Sequence, residues 1–138
     1  MSEAALDVAR ANAARLCQGR IEFLAGSWYA PLEGRRFDAI VANPPYVRAN
    51  DPHLGKGDLR FEPRAALTDE STDGLASLRA IVGGAGGHLN PGGWLLLEQG
   101  YDQADACRAL LASAGFDDLV SIPDLAGIPR VAGGRFAG

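Results

Sequence analysis

Phe37-Asp38-Ala39-Ile40-Val41-Ala42-Asn43-Pro44-Pro45-Tyr46 is an apolar run of strand length that stops on an asparagine and two prolines. Such a run reads as a buried strand halted abruptly at one edge of a sheet. Proline has no N–H to give a ladder, so two in succession forbid further pairing. The first also pushes Asn43 toward an extended conformation. The outcome is a stiff corner presenting an amide side chain, carbonyls without N–H neighbours, and an aromatic ring. In open α/β sheets, ligands bind in the crevice outside the carboxyl ends of the strands, so this corner is where chemistry is expected. The plainer alternative is a turn with Tyr46 as a packing residue.

Outward from the corner, helices and strands alternate. Residues 2–16 read as a helix capped by Ser2, with an apolar stripe at Ala5, Leu6, Ala9, Ala13 and Leu16 and with Arg10 and Arg15 toward solvent. Residues 21–25 (Ile-Glu-Phe-Leu-Ala) read as a strand, followed by a turn at Gly26-Ser27-Trp28-Tyr29. Residues 46–70 form a long loop of mixed charge, a length uncommon in a compact domain unless the loop is functional. Asp73 or Ser71 can cap a helix from Gly74 to about Val82. Asn90-Pro91-Gly92-Gly93 then turns into the strand Trp94-Leu95-Leu96-Leu97-Glu98. Residues 103–114 read as a helix ending at Gly115 in a C-cap position. Residues 116–122 and 130–136 are the last two strands. The pattern predicts an α/β fold with a largely parallel, helix-covered sheet and an antiparallel hairpin at one end.

The chain has 138 residues, of which 47% are apolar, enough for one core and against disorder. No apolar stretch is long enough for a membrane span, and the first residues lack a signal peptide's basic start and apolar centre. Cys17 and Cys107 have no partner at metal-ligand spacing and read as buried thiols of a reducing cytoplasm. No metal site is expected. A net charge of −4 argues against a surface dominated by nucleic acid.

A planar amide or exocyclic amine nitrogen is a poor nucleophile, because its lone pair is delocalised. Two acceptors aimed at its two N–H bonds would hold it and favour the pyramidal geometry needed for attack. The Asn43 side-chain oxygen and the Pro44 carbonyl can supply them. Tyr46 could pack on the planar group, exclude water and tolerate a nearby sulfonium. Transfer would then depend chiefly on positioning, with no general base required.

The Asn-Pro-Pro-aromatic quartet resembles the signature of methyltransferases acting on planar nitrogens, which include both DNA adenine-N6 and protein glutamine enzymes. The flanking residues separate the two. Asp51-Pro52-His53-Leu54, Gly57-Asp58-Leu59-Arg60-Phe61-Glu62-Pro63 and Ala66-Leu67 are similar to the loop that follows the quartet in HemK/PrmC-type release factor glutamine methyltransferases. Further stretches that resemble the same family are Asp73-Gly74-Leu75, Pro91-Gly92-Gly93, Leu96-Leu97-Glu98-Gln99-Gly100, Asp124-Leu125-Ala126-Gly127 and Arg130-Val131. The resemblance covers nearly the whole chain.

It implies a Rossmann-like methyltransferase sheet and methylation, from S-adenosylmethionine, of the glutamine in the Gly-Gly-Gln tripeptide of peptide chain release factors. Asn43 would meet both the donor's reactive end and the glutamine amide, and Pro44, Pro45 and Tyr46 would complete the clamp. Arg60, Phe61, Glu62 and Pro63 would either shape the release-factor surface or anchor the loop. Trp28 matches a position that lies against the donor's adenine. The family usually has an acidic residue just before it, where this chain has Ser27, so stacking is the contact expected to remain. His53, alone and beside a proline, reads as structural or exposed.

Family members hold the donor with a Gly-rich turn after their first strand and an acidic residue after the second. Neither is present, since Gly83-Gly84-Ala85-Gly86-Gly87 follows a helix. The resemblance therefore implies residues 1–138 to be the C-terminal part of one catalytic domain, without its first two strands and N-terminal helical domain. The strands at Ile21 and Phe37 would each lose a neighbour, and the chain alone would bind donor weakly and be inactive. Two other readings stand beside this one: a methyltransferase for adenine N6 or another protein amide, and a non-catalytic piece that binds release factor.

Overall fold

The structure, a computed structural model, describes residues 2–17, 20–55 and 57–138, with only the backbone of His53 and Leu59. It divides into two compact units, Met1–Gly34 and Arg35–Gly138.

In the first unit, α1 (Glu3–Leu16) begins where expected, with Ser2 Oγ accepting from Ala5 N at 3.3 Å. Arg10 pairs with Asp7 one turn back. Of the apolar stripe only Ala13 is buried, and Leu16 is exposed. Residues 21–25 have no regular structure and belong to no ladder, which corrects the strand expected there. A strand needs a partner for its N–H and C=O groups, and no described strand offers one. A short 3₁₀ turn, Ala30–Leu32, closes the unit.

The second unit holds a four-stranded sheet in the order β1-β2-β4-β3, from β1 (Phe37–Ala42), β2 (Leu89–Glu98), β3 (Phe116–Pro123) and β4 (Pro129–Phe136). β1 and β2 are parallel, as a crossover through α3 (Ala76–Ala85) requires, while β2–β4 and β3–β4 are antiparallel. The parallel start and the terminal hairpin match the sequence pattern, but the largely parallel sheet expected there is corrected: β4 docks antiparallel on β2, so two of the three described pairings are antiparallel. β1 lies at the edge of the sheet, with Val41 76% exposed. The register jumps from Phe37↔Leu89 to Ala39↔Trp94. The turn expected at residues 90–93 is therefore a bulge inside β2, tied to β1 by Asn90 Nδ2 donating to Asp38 Oδ1 at 2.8 Å.

α3 runs later than its predicted bounds of 74–82. Its N-terminus is satisfied by Asp69 Oδ2, which accepts from Ser77 N at 2.7 Å, while Asp73 accepts from Leu75 N. Ala85 is the last helical residue, so the Gly-rich segment forms the final helical turn and the link to β2. Leu78, Ile81, Val82 and Ala85 recur at helical spacing and are buried, together with Leu89, Leu95 and Leu97 of β2. Burying each large aliphatic side chain contributes about 1.5–3 kcal/mol. α4 (Ala104–Ser113) adds Cys107 and Leu111 to this core. Its C-cap is Ala114, and Gly115, expected at the cap, takes the left-handed position just after it with φ of +80°. Burial pushes the Cys107 thiol up to about 11, so it is inert, whereas Cys17 is only half-buried.

The loop after β1 is less irregular than its composition suggests. Two 3₁₀ segments, Pro52–Gly55 and Gly57–Phe61, lead into a single helical turn, α2 (Arg64–Leu67). Val47 N donates to Leu67 O at 2.9 Å, and Arg64 donates to Ala49 O and to Glu70. The loop thus folds back on the segment that leaves the sheet.

Candidate active site

Val41 and Ala42 are the last residues of β1 in register with β2, opposite Leu96 and Leu97. The chain then leaves the ladder as the prolines dictate. Asn43 is exposed, Pro44 is buried, and Pro45 and Tyr46 are half-buried. Among the described residues, none hydrogen-bonds the Asn43 side-chain amide or the Pro44 carbonyl. Two oxygens without a described hydrogen-bond partner therefore stand just beyond the carboxyl end of a strand.

They open on a cavity of about 330 Å³ lined by Asn43, Pro44, Tyr46, Val47, Glu62, Ala66 and Leu67. The fold-back of α2 makes this wall. Of the residues singled out from sequence, Asn43, Pro44, Tyr46 and Glu62 share the cavity. Pro45 sets the corner without lining it. Arg60 places its guanidinium 4.6 Å from the centroid of the exposed Phe61 ring. Neither Arg60, Phe61 nor Pro63 lines the cavity. Trp28 belongs to the first unit, in a turn with φ of +46° and its ring half-exposed. The His53 side chain lies outside the described residues.

Tyr46 is held at both ends. Its hydroxyl donates to Glu98 Oε1 at 2.9 Å, and its carbonyl accepts from Gln103 Nε2 at 3.0 Å. Burial raises the Tyr46 phenol pKa, the hydrogen bond and charge of Glu98 raise it further, and the charge of Arg130 opposes them. Gln103 is buried at the head of α4. Its Nε2 also reaches Gly74 O at 3.2 Å, and its Oε1 accepts from Gly100 N at 2.9 Å. Gly74 has φ of +69°, and a Cβ there would overlap the Tyr46 carbonyl oxygen.

Glu98, Gly74 and Gly100 lay inside motifs quoted from the sequence but carried no role there. In sequence Gln103 marks only the start of a helix. Its one local signal was a polar residue at a helix N-terminus, which does not reveal contacts far along the chain.

No family model matches the chain. Two curated proteins, both named release factor glutamine methyltransferase, are similar to it over nearly its full length. The protein from Burkholderia pseudomallei is 57% identical over 143 residues, covering 99% of this chain and 50% of its own length. The one from Bordetella pertussis is 56% identical over 135 residues, covering 97% of this chain and 49% of its own length. The chain thus spans about half the length of the curated relatives it matches. Among solved structures, TrmN from Thermus thermophilus shares the fold with a TM-score of 0.58 at 24% identity, over 98% of this chain and 34% of that one.

Proposed function

Since the chain belongs to the release factor glutamine methyltransferase family, we propose that it carries the acceptor site of that reaction: S-adenosylmethionine-dependent methylation of the side-chain amide of the glutamine in the Gly-Gly-Gln tripeptide of peptide chain release factors. The observation that carries the reading is the pair of free acceptors, Asn43 Oδ1 and the Pro44 carbonyl, beside the 330 Å³ cavity. The family's Rossmann-like α/β sheet puts them at a strand's carboxyl end.

Each acceptor takes one N–H of the glutamine amide. Held this way, the nitrogen loses the freedom to lie flat in conjugation and turns its lone pair toward the incoming methyl group. Buried Pro44 fixes where that carbonyl points, and the Tyr46 ring covers the amide against water. The donor, when bound, supplies an electrophilic methyl group on sulfur. In this proposal Glu62 bounds the substrate cavity, while Arg60, Phe61 and Pro63 belong to the surface that meets the release factor. No membrane partner and no direct nucleic-acid contact enter the reading, and a cytoplasmic setting suits it.

The donor's fit is partial. Asn43 is free to meet its reactive end, but the Gly-rich segment is spent on the last turn of α3. No described strand feeds a Gly-rich turn that could cradle the rest. The chain alone is therefore expected to bind donor weakly and turn over slowly or not at all. Calorimetric titration with S-adenosylhomocysteine is expected to show no saturation in the micromolar range, and micromolar binding would overturn that part. The acceptor reading is tested separately, by capture of an intact release factor against one whose tripeptide glutamine is replaced by alanine. Preference for the glutamine form by about tenfold is expected, and equal capture of both would sink the reading.

A further inference from the structure

Two stretches, Asp73-Gly74-Leu75 and Leu96-Leu97-Glu98-Gln99-Gly100, take no part in the chemistry described above, yet both converge on Tyr46. We propose that Glu98 is a positioning residue for the acceptor corner: its carboxylate anchors the Tyr46 hydroxyl while Gln103 anchors the Tyr46 carbonyl, so the ring is set from both ends. The inference rests on the proposed function and assigns a residue that the acceptor chemistry alone does not call for.

Three observations carry it. A phenol has one O–H to donate, and that of Tyr46 is committed to Glu98 at 2.9 Å. The hydroxyl is then unavailable as a proton donor to a substrate, and Tyr46 acts through its ring face. Second, the register Ala42↔Leu97 brings Glu98, the last residue of β2, to the level of Asn43 at the end of β1. The anchor is thus built into the same sheet end as the acceptors. Third, the other end of Tyr46 is fixed by a buried side chain that also gathers Gly74 O and Gly100 N. A tyrosine side chain turns about two torsions, and fixing its backbone carbonyl and its tip leaves little freedom in either. Arg130 pairs with Asp124, its Nε 3.2 Å from Oδ2, and makes no ion pair with Glu98 among the described residues. The charged hydrogen bond is half-buried, where it is stronger than a neutral one.

The test uses the full chain with Glu98→Gln, Glu98→Leu, Tyr46→Phe and the Glu98→Leu/Tyr46→Phe double variant. Tyr46 ionisation is followed by NMR against pH, with Tyr46→Phe assigning its signal among the three tyrosines. Glu98→Leu is expected to bring the Tyr46 pKa down toward its ordinary value. Capture of a release factor is expected to weaken about 3- to 10-fold in Glu98→Leu and in Tyr46→Phe alike, with the double variant no worse than either. Glu98→Gln, which keeps an accepting oxygen, should recover most of the loss. A Tyr46 titration unmoved by Glu98→Leu, or losses that add in the double variant, would overturn the proposal. A wild-type chain that captures no release factor refutes the function proposed above, and the titration alone then decides the role of Glu98.

Discussion

Gly74→Ala is expected to destabilise the second unit by about 3–5 kcal/mol and to move the acceptor corner. Two effects combine. The residue sits at φ of +69°, where an added Cβ costs on the order of 1 kcal/mol. That Cβ would also overlap the Tyr46 carbonyl oxygen and approach Gln103 Nε2 to 2.9 Å. The carbonyl is backbone and cannot swing aside as a side-chain tip could. Relief means separating the Gly74 segment from Tyr46, which breaks the Gln103 hydrogen bonds and strands buried polar groups at about 1–3 kcal/mol. Gly127→Ala isolates the first effect. Its φ is +81° and nothing lies within 4 Å of the added Cβ, so only about 1 kcal/mol is expected there. Urea denaturation of both variants measures the difference. Equal losses would mean that conformation alone, and no steric clash at the corner, explains the glycine.

Much of the fold could be read from sequence because its signals are local. The strand before Asn43, the helix that ends just before Gly115 and the terminal hairpin lie close to their predicted bounds, and the strand before Gly100 ends where expected. The failures lie where local pattern needs a distant partner. Ile21-Glu22-Phe23-Leu24-Ala25 has strand composition, but composition supplies no neighbour for its backbone, and the segment stays outside the sheet. Asn90-Pro91-Gly92-Gly93 has turn chemistry, yet the flanking residues pair with β1 on either side of it, so the turn survives as a bulge within one strand. The helix expected from Gly74 starts at Ala76 because Asp69, several residues upstream, takes Ser77 N. Asp69 keeps its carboxyl below the usual range for the same reason: burial would raise it, but hydrogen bonds from Ser71 and Ser77 outweigh that.

The candidate site divides the same way. Asn43, Pro44 and Tyr46 were legible because adjacent residues determine the corner and its free acceptors. Glu62 was legible only as part of a motif, and the fold-back of α2 onto Val47 is what brings it to the cavity. Phe61, beside it in the same motif, stays exposed outside that cavity. Spacing in sequence cannot tell these two apart, because the difference arises from hydrogen bonds between the loop and the strand exit. Gln103 was not legible at all. Its partners lie 57 and 29 residues away, at Tyr46 and Gly74, and nothing near it in sequence marks them.

Asn43→Ala is expected to separate binding from folding most cleanly. The side chain is exposed and has no intramolecular hydrogen bond among the described residues, so its removal should leave stability within about 0.5 kcal/mol. It should nevertheless weaken capture of a release factor about tenfold, the worth of one hydrogen bond whose partner would be left unpaired in the bound state. Methyl transfer, slow in the chain alone even at high donor concentration, should fall further, by about 10²–10³-fold, since the acceptor matters most as the nitrogen pyramidalises. Asn43→Asp keeps an accepting oxygen in the same place and should fall between wild type and alanine. If the alanine variant lost stability along with capture, Asn43 would be a structural residue of the corner. If it kept both capture and transfer, the acceptor would have to lie elsewhere, and the free carbonyl of Pro44 alone could not provide the two-point hold that the chemistry requires.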